Sequence, residues 1–175
     1  MTLQYMDTCW YQNNLYGITS TVIVEEGVIL EFEELLKLPR DKRFPAPSNF
    51  NLKPYFTSTA CWAGFVMHYK ISTQDDWLYL DTMDINMDNP PLVNRRAPRN
   101  YPTLAGGYPH FQWRYEELDI PVKITGGLEL GRYHWKNQPI TPKILKGNIG
   151  IGLRQLIRGV FDRRVAVWLE KGQCT

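Results

Sequence analysis

Apolar and polar positions alternate most regularly between Cys61 and Met87. The stretch reads CWAGFVMHYKI, then STQDD, then WLYLDTMDINM, two alternating segments around a polar turn, which predicts a β-hairpin. On its first strand Cys61, Ala63, Phe65, Met67, Tyr69 and Ile71 share one face, and Trp62, Gly64, Val66, His68 and Lys70 share the other. Both faces are largely apolar as far as His68, as expected of a strand covered on two sides. On the second strand Trp77, Tyr79, Asp81, Met83, Ile85 and Met87 are in phase, opposed by Leu78, Leu80, Thr82, Asp84 and Asn86. Asp81 interrupts an apolar row. It marks a switch of the inner face, a bulge that shifts the register, or the polar floor of a pocket.

Elsewhere the pattern is shorter-ranged. Residues 5–12 are aromatic and read as a short first strand or an irregular cover. TSTVIV–EEG–VILEF predicts a small hairpin turning at Glu25–Gly27. Glu33–Leu38 has helical character that Pro39 stops. Prolines at 39, 45, 47 and 54 make that segment a loop or edge cover, because each removes a backbone donor. Asn89–Pro109 reads as a long excursion, Phe111–Tyr115 as a strand, and Pro121–Leu130 as another interrupted at Gly126–Gly127. Leu153, Leu156, Ile157 and Val160 follow helical spacing, and Val165–Leu169 alternates like a strand. The turn signal Glu170–Lys171–Gly172 then has almost no chain behind it, which suggests a truncated end or an edge strand. The fold expected is mainly β, or α+β with little helix: an antiparallel, strongly twisted sheet or partly closed barrel with one or two short helices. With 175 residues and no composition break, residues 1–175 read as a single β-rich domain.

Composition narrows the class. Aromatic residues make up 13% of the chain, with 6 Trp and 10 Tyr, and these suit both sheet faces and binding surfaces. The net charge of +2 is unevenly spread: residues 1–131 hold 11 basic against 16 acidic residues, and residues 132–164 hold 8 against Asp162 alone. A basic face built from 132–164, with Arg95, Arg96 and Arg99 beside Tyr101, would suit nucleic acid. The acidic first two-thirds of the chain and the local prolines disfavour it. Three cysteines without a CxxC pair fit a reducing, cytoplasmic setting, with a Cys9–Cys61 bridge as the alternative. The N-terminus lacks a basic start and apolar run, and no stretch approaches about 18 apolar residues, so neither a signal peptide nor a membrane span is read.

No catalytic or metal motif assembles in the sequence, and no cofactor is expected. Asp84-x-Asn86-x-Asp88 opens like a calcium loop but puts Asn89 where the turn needs Gly and Arg95 where a bidentate Glu should close the shell. Its ordinary reading is a strand end with outward polar residues. His68, His110 and His134 have no zinc spacing. For His68 a hydrogen-bonded structural role is expected. A catalytic Cys61, or an acid–base pair drawn from His134 or His110 with Asp81, Asp84 or Glu129, would require convergence in the fold. The glycines at 147, 150 and 152 are in the wrong order for a dinucleotide loop. Tyr133, His134 and Trp135, with His110 in GGYPHFQW and Asp81, form the candidate ligand-binding set.

At STACWAGFVMHYKI, ITGGLELGR and the terminal WLEKG, the chain resembles a loosely defined group of small uncharacterised bacterial proteins. The likeness spans roughly residues 18–172, with most weight on Ser58–Ile71 and Pro121–Arg132. It implies a bacterial cytosolic domain, transfers no activity or ligand, and implies that the Lys171–Gly172 turn leads into a further strand. The expectation from residues and resemblance together is a non-catalytic domain that binds a partner protein or small molecule through an aromatic surface or cleft, with an immunity or accessory role compatible. A homo-oligomer is compatible with it. The alternatives are a small hydrolase using a His/Asp pair, and a nucleic-acid binder.

Overall fold

A computed structural model describes residues 6–35, 37–39, 43–56, 63–100, 111–133 and 161–175. Three tight turns organise the strands, and each places two consecutive residues at positive φ, the geometry that matches the right-handed twist of a hairpin. Gln12–Asn13 joins β1 (Thr8–Tyr11) to β2 (Asn14–Glu25), and Glu26–Gly27 joins β2 to β3 (Val28–Ile29). Lys171–Gly172 joins β10 (Phe161–Glu170) to β11 (Gln173–Cys174). The hairpin expected at Glu25–Gly27 and the strand expected after Lys171–Gly172 are both present, each with a two-residue second arm.

The long hairpin forms from β4 (Phe65–Ile71) and β5 (Leu78–Ile85). Residues 61 and 62, where the alternation begins, lie outside the described residues. The strand itself opens at Phe65, behind Gly64 at φ 73°, where a Cβ would collide with the Tyr55 carbonyl. The remaining strands are β6 (Arg99–Asn100), β7 (Trp113–Tyr115), β8 (Ile120–Pro121) and β9 (Gly126–Tyr133). Pro121–Leu130 is therefore two strands. β8 pairs with β5, while β9 begins at the glycine pair and lies between β2 and β10. Among the described residues the helices are the short α1 (Phe32–Leu35) and a 3-10 turn at Pro47–Phe50, while the helical spacing at 153–160 lies outside them.

The sheet runs β11-β10-β9-β2-β1-β4-β5-β7-β6, with β3 beside β2 and β8 beside β5. It is antiparallel except where β1 runs parallel to β4, so the sheet is mixed. Its first strand bends back onto β5: Gln173 bridges Trp77, Leu78 N–H donates to Gly172 O at 2.8 Å, and Cys174 N–H donates to Asp76 O at 2.6 Å. Gly172 N–H donates in turn to Ile124 O at 2.7 Å. Gly172 has φ 96° and its missing Cβ leaves room for the Val122 carbonyl, so the sheet closes into a barrel at this end through a residue that only glycine suits. The core fills the interior, with Cys9, Met67, Tyr69, Leu80, Met83, Tyr115 and Leu130 at its centre. The proline-rich segment is a cover, as expected: Leu52 is buried, and Phe44 packs edge-on against Tyr69 with ring centroids 5.5 Å apart.

Asp81 is the bulge residue. Pairing passes from His68–Thr82 to Tyr69–Leu80 and skips it, so β5 carries one extra residue. Leu78 and Leu80 face the core before the bulge, and Met83 and Ile85 face it after. The switch of face and the shift of register expected from the sequence are one event. Cys9 is a free, buried thiol, and Cys61, its partner in the alternative bridge, lies outside the described residues. Among the described residues no helix is long and apolar enough to cross a membrane.

Candidate functional site

Strand pairing assembles a polar row across the sheet on the side away from the core. Thr8 on β1 lies beside His68 on β4, Val66 on β4 pairs with Asp84 on β5, and Asp84 pairs with Arg114 on β7. Residues opposite one another in a sheet project to the same face. Three of these side chains meet at Asp84. Arg114 Nε donates to Asp84 Oδ1 at 2.6 Å and Nη2 to Oδ2 at 2.8 Å, a bidentate pair. His68 Nε2 lies 3.0 Å from Asp84 Oδ2, and His68 Nδ1 lies 2.8 Å from Thr8 Oγ1. With its proton on Nε2, the imidazole donates to Asp84 and accepts from the Thr8 hydroxyl, so both ring nitrogens are satisfied.

Asp84 has 0% exposure. Burial raises its pKa, but the hydrogen bonds from Arg114 and His68, with their charges, outweigh burial and hold the carboxyl below its ordinary 3.8. It is a buried anion held by the Arg114 fork and by the His68 ring. Asn86, also fully buried, accepts from the Gln112 N–H at 2.9 Å through Oδ1. The outward strand end expected for Asp84-x-Asn86 is thus corrected. Around them β7 pairs with β5, and the Tyr55 N–H donates to Asn86 O at 2.9 Å. Their oxygens serve arginine, histidine and backbone. Among the described residues no group of three or more His, Cys, Asp or Glu could hold a metal ion.

Close by, Asp7 Oδ1 accepts from the Met67 N–H at 2.9 Å. Burial raises the Asp7 pKa, and the Met67 bond and the nearby His68 offset part of the rise. Cys9 lies on β1, and burial pushes its thiol up to about 12.

The order Thr8–His68–Asp84 is that of a nucleophile, a base and an orienting acid. Thr8 is 9% exposed, and the carboxylate that would support the imidazole is already engaged by the Arg114 fork. The hydrogen bonding expected of His68 is present at both ring nitrogens.

Asp81 stands apart from this set. Its Oδ1 lies 2.6 Å from Lys70 Nζ, which also donates to Asp119 Oδ1 at 2.6 Å, all at the surface. Asp81 is therefore the site of a bulge and of an ion pair with Lys70. Tyr133 ends β9 opposite Phe161, while His110, His134 and Trp135, with Cys61 and Tyr101, lie outside the described residues. Two of the three arginines proposed for phosphate contacts are engaged by acids: Arg96 with Glu117 at 3.2 Å and Arg99 with Glu116 at 2.8 Å. Sequence reasoning missed Thr8 and Arg114 and did not join His68 to Asp84. Its one available signal was His68 and Asp84 each lying on the more polar side of its own strand.

Two apolar spots lie on the outer face. Trp10 and Leu15 are cross-strand neighbours, 49% and 42% exposed. Trp168 is 46% exposed, and its ring lies over Gly127, where a Cβ would stand 3.6 Å from Cε3. Val22 continues the same row, and Val24 pairs with the exposed Ile29 two positions along β2. No protein-family model matches the chain, and comparison with curated proteins and with solved structures yields no match.

Proposed function

We propose that this chain is a non-catalytic binding domain of the bacterial cytoplasm that meets a partner protein through the outer face of its sheet. The observation that carries the reading is the row Trp168–Gly127–Val22. A half-exposed tryptophan lies on a glycine strand with β-branched neighbours, an anchor of the type that dominates protein interfaces. The bonding of the Asp84 cluster supports the same reading, because its polar groups are already satisfied within the fold.

The test is affinity capture from a bacterial lysate with the native chain and the Trp168→Arg variant in parallel. A partner retained by the native chain and lost from a folded variant supports the proposal; identical retention by both removes Trp168 as the anchor. The hydrolase reading has the Thr8–His68–Asp84 order in its favour. It requires ester or amide turnover by the native chain that Thr8→Val abolishes, and no turnover is expected.

A further inference from the structure

Among the described residues β3 pairs with β2 on one side and with no strand on the other. Its open side carries free backbone groups. Val28 pairs with Glu25 next to the two-residue turn, and Leu30 N–H donates to Ile23 O at 3.0 Å. Residues 28 and 30 therefore direct their backbone groups at β2. Ile29, between them, directs its N–H and C=O outward, because the two kinds of pair alternate along an antiparallel ladder. The edge ends at Glu31, whose N–H donates to Glu34 Oε2 at 2.9 Å and whose carbonyl accepts from Glu34 N–H at 3.0 Å. Open edges are commonly blunted by lysine, proline or a covering segment. Here the edge side chains are β-branched, with Val28 60% and Ile29 62% exposed. Ile29 pairs with Val24, two positions along β2 from Val22, so the edge continues the Trp168–Gly127–Val22 row. The surrounding charge has one sign: residues 25–34 hold five glutamates and no lysine or arginine. Lys123 and Lys171 share a cleft with Glu25 and Glu26 at the turn, and at the other end Glu31, Glu33 and Glu34 are exposed.

We propose that the open edge of β3 takes an extended, basic and apolar segment of the partner protein as an added strand. The inference rests on the reading that the outer face of the sheet meets a partner, and it names the chemistry of the segment that docks. Ile29 offers one N–H and one C=O, which suits a closely spaced pair of backbone bonds. Alternate apolar side chains of the segment extend the row through Ile29 and Val24, and its lysines or arginines meet Glu31 and Glu33. A second copy of this chain does not suit the edge, because it would set glutamates against glutamates.

The experiment is an amide NMR titration of the full chain with an acetylated, amidated peptide of about eight residues that alternates lysine and valine. It is repeated with glutamate in place of lysine, and with the lysine–valine peptide methylated at every backbone nitrogen. Saturable shifts centred on residues 24–31 are expected, with a midpoint on the order of 1 mM, and each control peptide should bind about fivefold or more weakly. E31K/E33K should weaken binding about tenfold or more while leaving the rest of the spectrum in place. No saturable shift up to about 10 mM overturns the proposal, as does equal binding of the acidic or the methylated peptide, or binding unchanged in E31K/E33K. Trp168→Arg is titrated in parallel and should hold the peptide as the native chain does, because β9 and β2 separate its strand from β3. Peptide bound by a chain that captures no lysate partner removes the Trp168 anchor alone. A lysate partner captured by a chain that binds no peptide removes the β3 edge alone.

Discussion

Asp81 and Asp84 lie three residues apart on one strand, yet their environments are opposite. Asp81 sits on the bulge, pairs with Lys70 at the surface, and has Asp119 on the other side of the same ammonium. Asp84 is fully buried under a bidentate arginine and a histidine held by a threonine. The surface pair is screened by water and contributes little. The buried carboxylate is stable only while its partners remain, because an uncompensated charge there has no solvent to turn to. The same residue type on the same strand is thus marginal in one place and critical in the other, and one inserted residue in the register separates the two cases.

The sharpest way to break this contrast is Arg114→Ala. Losing the fork leaves Asp84 buried and half compensated, and a loss of about 3–5 kcal/mol is expected in urea unfolding. A loss below about 1 kcal/mol would mean that Asp84 is hydrated in solution and that the contrast fails. His68→Ala should cost less, about 1–3 kcal/mol, since it removes one charge-assisted bond and strands the Thr8 hydroxyl. Lys70→Ala should cost less than about 1 kcal/mol, although it leaves Asp81 and Asp119 facing each other.

Acid titration probes the buried Asp84 without deleting a partner. The Asp84 carboxyl is held below its ordinary 3.8, so its stabilisation is complete above that pH and is lost as pH falls through the lowered native value. Native protein should therefore lose stability below about pH 4 more steeply than Asp84→Asn. Asp7 runs the other way. Its raised pKa means its contribution is present at low pH and lost as pH rises, so Asp7→Asn should be neutral or slightly stabilising at pH 7, with the Met67 N–H still accepted by an amide oxygen. Equal chevron-derived stabilities of Asp7→Asn and native protein at pH 3 would complete that check.

Much of the architecture was legible locally. Period-two alternation marked β4 and β5, Glu26–Gly27 and Lys171–Gly172 marked two of the hairpin turns, and an acid in an apolar row marked the bulge at Asp81. The parallel β1–β4 pairing was not legible, because nothing in TCWY specifies a partner about 60 residues away. The Asp84 cluster was hidden for the same reason: its members come from four strands, and Arg114 sits in a segment whose own pattern signals only a short strand. The candidate residues His110, His134 and Trp135 lie outside the described residues, and Asp81 pairs with Lys70.

The sequence by itself determined the class of object, a β-rich domain, because alternation and turn chemistry are properties of neighbouring residues. It also determined that the apolar row breaks at Asp81. Only the tertiary structure decided which way each side chain faced after that break. Solvation of a charge depends on what other strands lay over it, and that information is carried by pairings distant in the chain. Asp84 looked like an outward strand end for want of β7, and became a buried anion once Arg114 arrived from 30 residues downstream.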